Sequence, residues 1–321
     1  MSLVIKITSL IPYLSILFVN ALMAQSAMDR RLILSSEVCT IPFSWHGDSI
    51  LQKWEPHVAM LIPVTIKNCH RKFYMQFDTG APYSILYSHK LNAIREKYPK
   101  IRLSKMLDGK LESFRFKAGN VSITAHEIMV KQFGSSITDW DDTESIEIIG
   151  SIGTDLIHDR VAIIDYVNRN LTIAENIPNG YMKNVSLFDL VYTQGRMLLP
   201  AKLNNRQTLL YFDTGSSMFE LLTDKETCEQ LASPGEMPIK VNVESWGNQL
   251  TAVTVAAEGS LEIGEMTLPI GSCTHMEGVS SQQIEQMAKI GIGGMIGNKL
   301  FINHRLLLDT KHGKFGITYS H

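Results

Sequence analysis

Charge is scarce in this chain, and what there is nearly cancels. Of 321 residues, 19% are charged, and the formal net charge is −2. No strong field draws the protein towards a polyanion, so no nucleic-acid partner is expected. Cysteine is scarce too: there are four, with no C-x-x-C, which removes zinc-ribbon and thioredoxin-like sites. No H-E-x-x-H, G-x-S-x-G or P-loop occurs. His126-Glu127 has no second histidine at the required spacing and reads as a structural or exposed histidine. Gly291 to Gly297 is glycine-rich, but no Lys-Ser/Thr follows, so a tight turn explains it better. The acidic run Asp139 to Glu144 lacks the glycine and alternating ligands of a calcium loop and reads as solvated. These absences remove the common metal and cofactor motifs, and no metal or cofactor is expected.

Long apolar runs are also missing, with one exception. Leu10 to Ala24 is apolar, Lys6 is the only charge before Asp29, and small residues follow at Ala24, Ser26 and Ala27. The run falls short of the about 20 residues a membrane span needs, and its flanks are those of a secretory signal peptide. Residues 1–24 are read as that signal, with cleavage between 24 and 27. An uncleaved membrane tether is the alternative. In an exported chain an even cysteine count reads first as disulfides. The natural pairs are Cys39–Cys69 and Cys228–Cys273, one early and one late, with buried free thiols as the other reading.

What is present is a repeat. Met60 to Asn68 (MLIPVTIKN) is echoed by Met197 to Asn205 (MLLPAKLNN), and both read as strands. Each leads into an Asp-Thr-Gly: Asp78-Thr79-Gly80-Ala81 and Asp213-Thr214-Gly215-Ser216. A helix is expected over Ser84 to Lys97, stopped by Pro99, and a shorter one over Thr223 to Leu231. Another is expected over Val279 to Ile290. Asp108-Gly109 marks a tight hairpin in the first half, and Gly247-Asn248 marks its counterpart. Each half closes alike, with Ile152-Gly153 or Ile296-Gly297, then an apolar strand ending at Asp165 or Asp309. Those last two carboxylates read as turn residues. Pro178-Asn179-Gly180 separates the halves. The organisation expected is an N-terminal segment or short pro-piece at 25–57, a first lobe at 58–178 and a second at 179–321. Both lobes are mostly β.

Each Asp-Thr-Gly sits where an apolar strand gives way to a turn, a costly place for a lone carboxylate. If the two loops meet about a pseudo-two-fold axis, Asp78 and Asp213 face each other. Carboxyls about 3 Å apart cannot both ionise, so they share one proton. Such a pair can activate a water while hydrogen-bonding a carbonyl, which is metal-free amide hydrolysis. With these residues in place, the chain resembles the pepsin/retropepsin aspartic proteases, from Met60 to Ile317. The resemblance implies an all-β, bilobal protein with a cleft between lobes, cleaving an extended peptide as an endopeptidase. Asp78 and Asp213 would be the catalytic pair, and Thr79 and Thr214 the hydroxyls that cross-brace the loops. Ile152-Gly153 and Ile296-Gly297 would back the loops. A chain carrying both lobes needs no dimer, so a monomer is expected.

Two departures from the family stand out. The hairpin at Asp108-Gly109 is the counterpart of the family's flap but holds no tyrosine, so Phe114 or Phe116 is the candidate to cover substrate. An inactive peptide-binding module on the same scaffold is therefore the main rival reading. Ala81 also lacks the hydroxyl that Ser216 keeps. With one donor fewer for the charged form, a less acidic optimum than pepsin's is expected, with Asp78 holding the shared proton. Ala81→Ser is expected to move the acidic limb of the pH profile downward.

Overall fold

The computed structural model describes residues 5–7, 31–50, 53–101, 103–104, 106–133, 140–245, 248–279 and 291–319. The apolar leader at 10–24 lies outside them. So do residues 280–290 of the helix expected from Val279. The architecture is mostly β, in three sheets.

Two of the sheets are built to one plan. In the first, Lys53–Thr65 pairs with Phe73–Phe77, then Ile148–Ile152, Ile85–Tyr87, Val121–Lys131 and Lys110–Ala118, which returns to Lys53–Thr65. In the second, Arg196–Leu203 pairs with Arg206–Phe212, then Ile292–Ile296, Leu221–Leu222, Met266–Glu277 and Asn248–Ile263, which returns to Arg196–Leu203. Both are closed rings of six strands, with the same sequence of parallel and antiparallel pairs. Even the irregularity repeats: register slips between Ile148 and Gly150, and again between Leu209 and Leu210. Closure leaves few open edges and brings both strands flanking each Asp loop into the same wall.

The third sheet joins the halves. Its order is Phe188–Asp189, Lys314–Tyr319, His304–Asp309, Val161–Asp165, Asn170–Ala174, Val38–Pro42. The central pair crosses between halves, from Val161 opposite Asp309 to Asp165 opposite Arg305. Val38–Pro42 belongs to the N-terminal segment, which packs Leu32 and Ile41 into the core. Ile5–Ile7 runs parallel to Val243–Ser245.

Short helices fall near their expected places. Ser88–Lys97 buries Leu91 and Ile94, and it starts later than Ser84 because Ile85–Tyr87 is drawn into the ring as a strand. Lys225–Leu231 is capped by Asp224, whose Oδ1 accepts the Thr227 N–H at 2.8 Å. Cys228 on that helix is bonded to Cys273 in Met266–Glu277. The Cys39–Cys69 pair expected from sequence is not formed. Cys39 lies on the interlobe sheet opposite Ile173, with its thiol against Ser36. Cys69 sits in a turn of the first ring, its Sγ directed at the Arg71 carbonyl. The two thiols belong to different layers, which proximity in sequence cannot reveal. Among the described residues, no helix is long and apolar enough to cross a membrane.

Candidate active site

Each Asp loop begins where its strand leaves the ring. The Asp78 N–H bonds the Ile152 carbonyl at 2.9 Å, and the Asp213 N–H bonds the Ile296 carbonyl at 3.0 Å. So the two Ile-Gly elements stand directly behind the loops. Their glycines are required by space. A Cβ on Gly153 would fall 2.7 Å from the Ala81 carbonyl oxygen, and one on Gly297 2.2 Å from that of Ser216. Both contacts are with backbone, which cannot rotate away.

The threonines lock the loops to each other. Thr79 N–H donates to Thr214 Oγ1, and Thr214 N–H donates to Thr79 Oγ1, both at 2.9 Å. Each hydroxyl then donates across to the strand of the other half, Thr79 to the Phe212 carbonyl at 3.0 Å and Thr214 to that of Phe77 at 2.8 Å. All four groups are buried and paired, so the brace costs no unsatisfied polar atom.

This brace brings the carboxyls together. Asp78 is 1% exposed and Asp213 0%. A Cβ on Gly80 would meet Asp213 Oδ1 at 2.7 Å, so only glycine lets the far carboxyl approach. The Gly80 N–H is shared between Asp78 Oδ1 at 3.0 Å and Asp213 Oδ1 at 3.1 Å. Asp213 also accepts from Gly215 N–H at 2.8 Å and from Ser216 Oγ at 2.9 Å. Among the described residues Asp78 Oδ2 is buried with no hydrogen-bond partner. Burial and then the charge of Asp213 push the Asp78 carboxyl well above its ordinary range, against the Gly80 and Ala81 amides, which lower it. The pair is unequal in donors: Asp213 has a hydroxyl beside its amides, and the loop of Asp78 offers none.

A second tier supports each loop. Thr154, after Ile152-Gly153, donates from Oγ1 to the Gly195 carbonyl at 2.8 Å and lies 3.4 Å from that of Ala81. Asn298, after Ile296-Gly297, donates from Nδ2 to the Thr214 carbonyl at 3.0 Å and accepts at Oδ1 from Tyr166 Oη at 2.7 Å. Behind the first loop, Ser84 donates from both N–H and Oγ to the Asp155 carboxylate, each at 2.7 Å. Burial lifts the Asp155 carboxyl to about 6. Two further side chains span the halves: Gln76 Nε2 lies 3.4 Å from the Gly215 carbonyl, and Tyr211 Oη donates to the Gly80 carbonyl at 3.2 Å. The sequence reading passed over Gln76, Tyr211, Asp155 and Asn298. Their signal was positional: Gln76 and Tyr211 each stand two residues before an aspartate, and both are polar in apolar strands.

The flap expectation needs correction. The hairpin at Asp108-Gly109 exists, with both residues at positive φ (49° and 72°), the geometry of a two-residue turn. Its first strand, Met106–Leu107, has only two residues. Phe114 and Phe116 are 2% and 3% exposed and stack on each other within the core. Alternation along Lys110–Ala118 turns both rings inward, so neither covers a cleft. The exposed apolar residues of this hairpin are Met106 and Leu107. Asp165 and Asp309 hold turns: Asp165 accepts the Asn168 N–H and pairs with Arg305, and Asp309 accepts the N–H groups of Lys311 and His312.

No protein-family model matches the chain. No curated protein matches it either. Among solved structures, the chain is similar to the crystal structure of an aspartic proteinase from Irpex lacteus. The identity is 10%, the match covers 88% of this chain and 97% of that one, and the TM-score is 0.47.

Proposed function

We propose that this protein is an exported aspartic endopeptidase that hydrolyses extended peptides with the Asp78–Asp213 pair and a water. One observation carries the reading: two buried carboxyls, delivered by two copies of one loop, share the Gly80 N–H inside a reciprocal threonine brace. A purely structural role does not account for burying two carboxyls face to face, because that arrangement opposes folding whenever both ionise. In the mono-protonated state, the Asp213 carboxylate takes a proton from water while the Asp78 carboxyl donates to the scissile carbonyl. Water then adds to that carbon, and the tetrahedral intermediate collapses as Asp213 passes its proton to the leaving nitrogen and Asp78 takes one back from the intermediate's hydroxyl. The Cys228–Cys273 bond supports an oxidising compartment, in keeping with export.

The inequality of the two carboxyls changes the pH expectation. The acidic limb reports the first proton lost, and the better-held anion is Asp213. The alkaline limb reports loss of the remaining proton, on Asp78. Ala81→Ser is therefore expected to lower the alkaline limb and not the acidic one.

Peptide cleavage by the purified protein, beside Asp78→Asn and Asp213→Asn, tests the proposal. Each substitution is expected to abolish cleavage, and cleavage surviving either one would sink the dyad assignment. The short hairpin and the inward Phe114 and Phe116 favour a second reading, a peptide-binding module. Peptide binding without cleavage by wild type, across acid to neutral pH, would select it.

A further inference from the structure

The two strands that end in the aspartates each give one face to the core. Met75 and Phe77 enter it from the first, and Leu210 and Phe212 from the second. Side chains alternate along a strand, so Gln76 and Tyr211 share the other face with Asp78 and Asp213. Both are polar, and both are buried, at 6% and 5% exposed. Their contacts match across the pseudo-two-fold axis. Gln76 Nε2 donates to the Gly215 carbonyl at 3.4 Å, and Tyr211 Oη donates to the Gly80 carbonyl at 3.2 Å. Each side chain stands two residues before one aspartate and bonds the glycine two residues after the other.

Those two glycines carry amides that touch the carboxyls. The Gly80 N–H serves Asp78 Oδ1 and Asp213 Oδ1 together, and the Gly215 N–H serves Asp213 Oδ1. The peptide after each glycine is held at both ends. Its nitrogen is held within its own loop: Ala81 N–H donates to the Asp78 main-chain carbonyl at 3.2 Å, and Ser216 N–H to that of Asp213 at 3.1 Å. Its oxygen is held by the opposite half, through Tyr211 or Gln76. Glycine has the widest backbone freedom of any residue, so its N–H stays aimed only while the peptide after it is fixed. A buried carbonyl stripped of its donor turns to find another, and the glycine N–H turns with it.

We infer that Gln76 and Tyr211 are positioning residues, an outer reciprocal brace around the threonine pair that keeps the Gly80 and Gly215 N–H groups on the two carboxyls. The inference rests on the dyad reading above. The two arms of the brace control different things. Tyr211 governs the amide that both carboxyls share, and Gln76 governs an amide given to Asp213. Burial pushes the Tyr211 hydroxyl well above its ordinary range, so it stays a donor at every working pH. The other charged or titratable groups nearby are Asp155 behind the first loop, Arg196 next to the Gly195 turn, and Glu55, His57 and Lys299 behind the second loop. All of these remain in both variants below.

The test is the pH profile of kcat/KM, which reports the free enzyme. Tyr211→Phe is expected to raise both limbs by about half a pH unit, because each charged form loses part of a donor. Gln76→Met is expected to raise the acidic limb alone. A merely structural role would lower kcat/KM with both limbs in place. That result in either variant overturns the inference, as does a downward shift, or movement of the alkaline limb in Gln76→Met. If one variant does not fold, the other decides by its own limbs. If wild type cleaves no peptide, the dyad reading fails by itself. Infrared difference spectra of the two carboxyls, assigned with Asp78→Asn and Asp213→Asn, then follow their titration. An upward shift of both in Tyr211→Phe and of Asp213 alone in Gln76→Met is expected, and its absence overturns the inference.

Discussion

A buried carboxylate is stable only when donors replace the water it has lost, and the two aspartates differ in how many they have. Asp213 takes bonds from the amides of Gly80 and Gly215 and from the Ser216 hydroxyl. Removing the last of these in Ser216→Ala should raise the acidic limb of the activity profile by about half a pH unit, because the charged form loses one donor. An unmoved acidic limb would take that limb away from Asp213. Asp155 gives a second residue-scale prediction, in stability. Its folded pKa, about 6, lies above its ordinary 3.8. The folded state therefore holds this proton more tightly than the unfolded state does. The contribution is most favourable below about pH 4 and is lost as pH rises to about 6. The loss is on the order of 3 kcal/mol. Asp155→Asn should remove that dependence. Denaturant midpoints of wild type and variant, compared from pH 4 to 7, check it, and parallel curves would refute it.

At the scale of elements, the loops are shaped by what cannot be added to them. Gly153→Ala would drive a Cβ into the backbone of Tyr83 and Ala81. It should cost about 1–3 kcal/mol or more and displace the first Asp loop, lowering activity with both aspartates intact. Gly180, where a Cβ meets nothing within 4 Å, is the control: Gly180→Ala should stay within about 0.5 kcal/mol. Thermal unfolding and cleavage rates of the two variants make the comparison. These glycines also show what could be read beforehand. The Ile-Gly pairs were legible because they recur at matching distances after each Asp-Thr-Gly. The Asp108-Gly109 turn was legible because its chemistry is local. The inward facing of Phe114 and Phe116 was not, since strand alternation leaves open which face meets the core until the register of Lys110–Ala118 against Val121–Lys131 is known. Ser84 to Tyr87 read as helix because local spacing cannot anticipate pairing of Ile85–Tyr87 with Met129–Lys131.

At the scale of the whole molecule, two closed rings share one interlobe sheet, and each ring's first hairpin packs behind the other's loop. Gly195 meets Thr154 on one side, and Glu55 pairs with Lys299 at 2.9 Å on the other. Ile50, near the tip of the longer hairpin, is buried among Phe219, Val241 and Val243 of the second half. The Cys228–Cys273 bond closes a separation of 45 residues inside the second half. Chain entropy puts its contribution at about 4 kcal/mol. Cys228→Ala with Cys273→Ala should lower the unfolding midpoint accordingly, and reductant should do the same to wild type but not to the variant. An equal response of both would assign the effect elsewhere.

The sequence by itself determined the duplication, the positions of both aspartates and the residue types around them, because repeats, turn chemistry and strand periodicity are written locally. It also carried the difference between Ala81 and Ser216. Only the tertiary structure decided which distant groups meet. Cys228 finds Cys273 while Cys39 and Cys69 stay apart. Gln76 and Tyr211 reach across to the opposite loop, and Gly195 comes to lie against Pro82, more than a hundred residues earlier in the chain. Those meetings are set by ring closure and by the central pairing of Val161–Asp165 with His304–Asp309. Long-range pairing is a property of the packed whole, and no local window of sequence contains it.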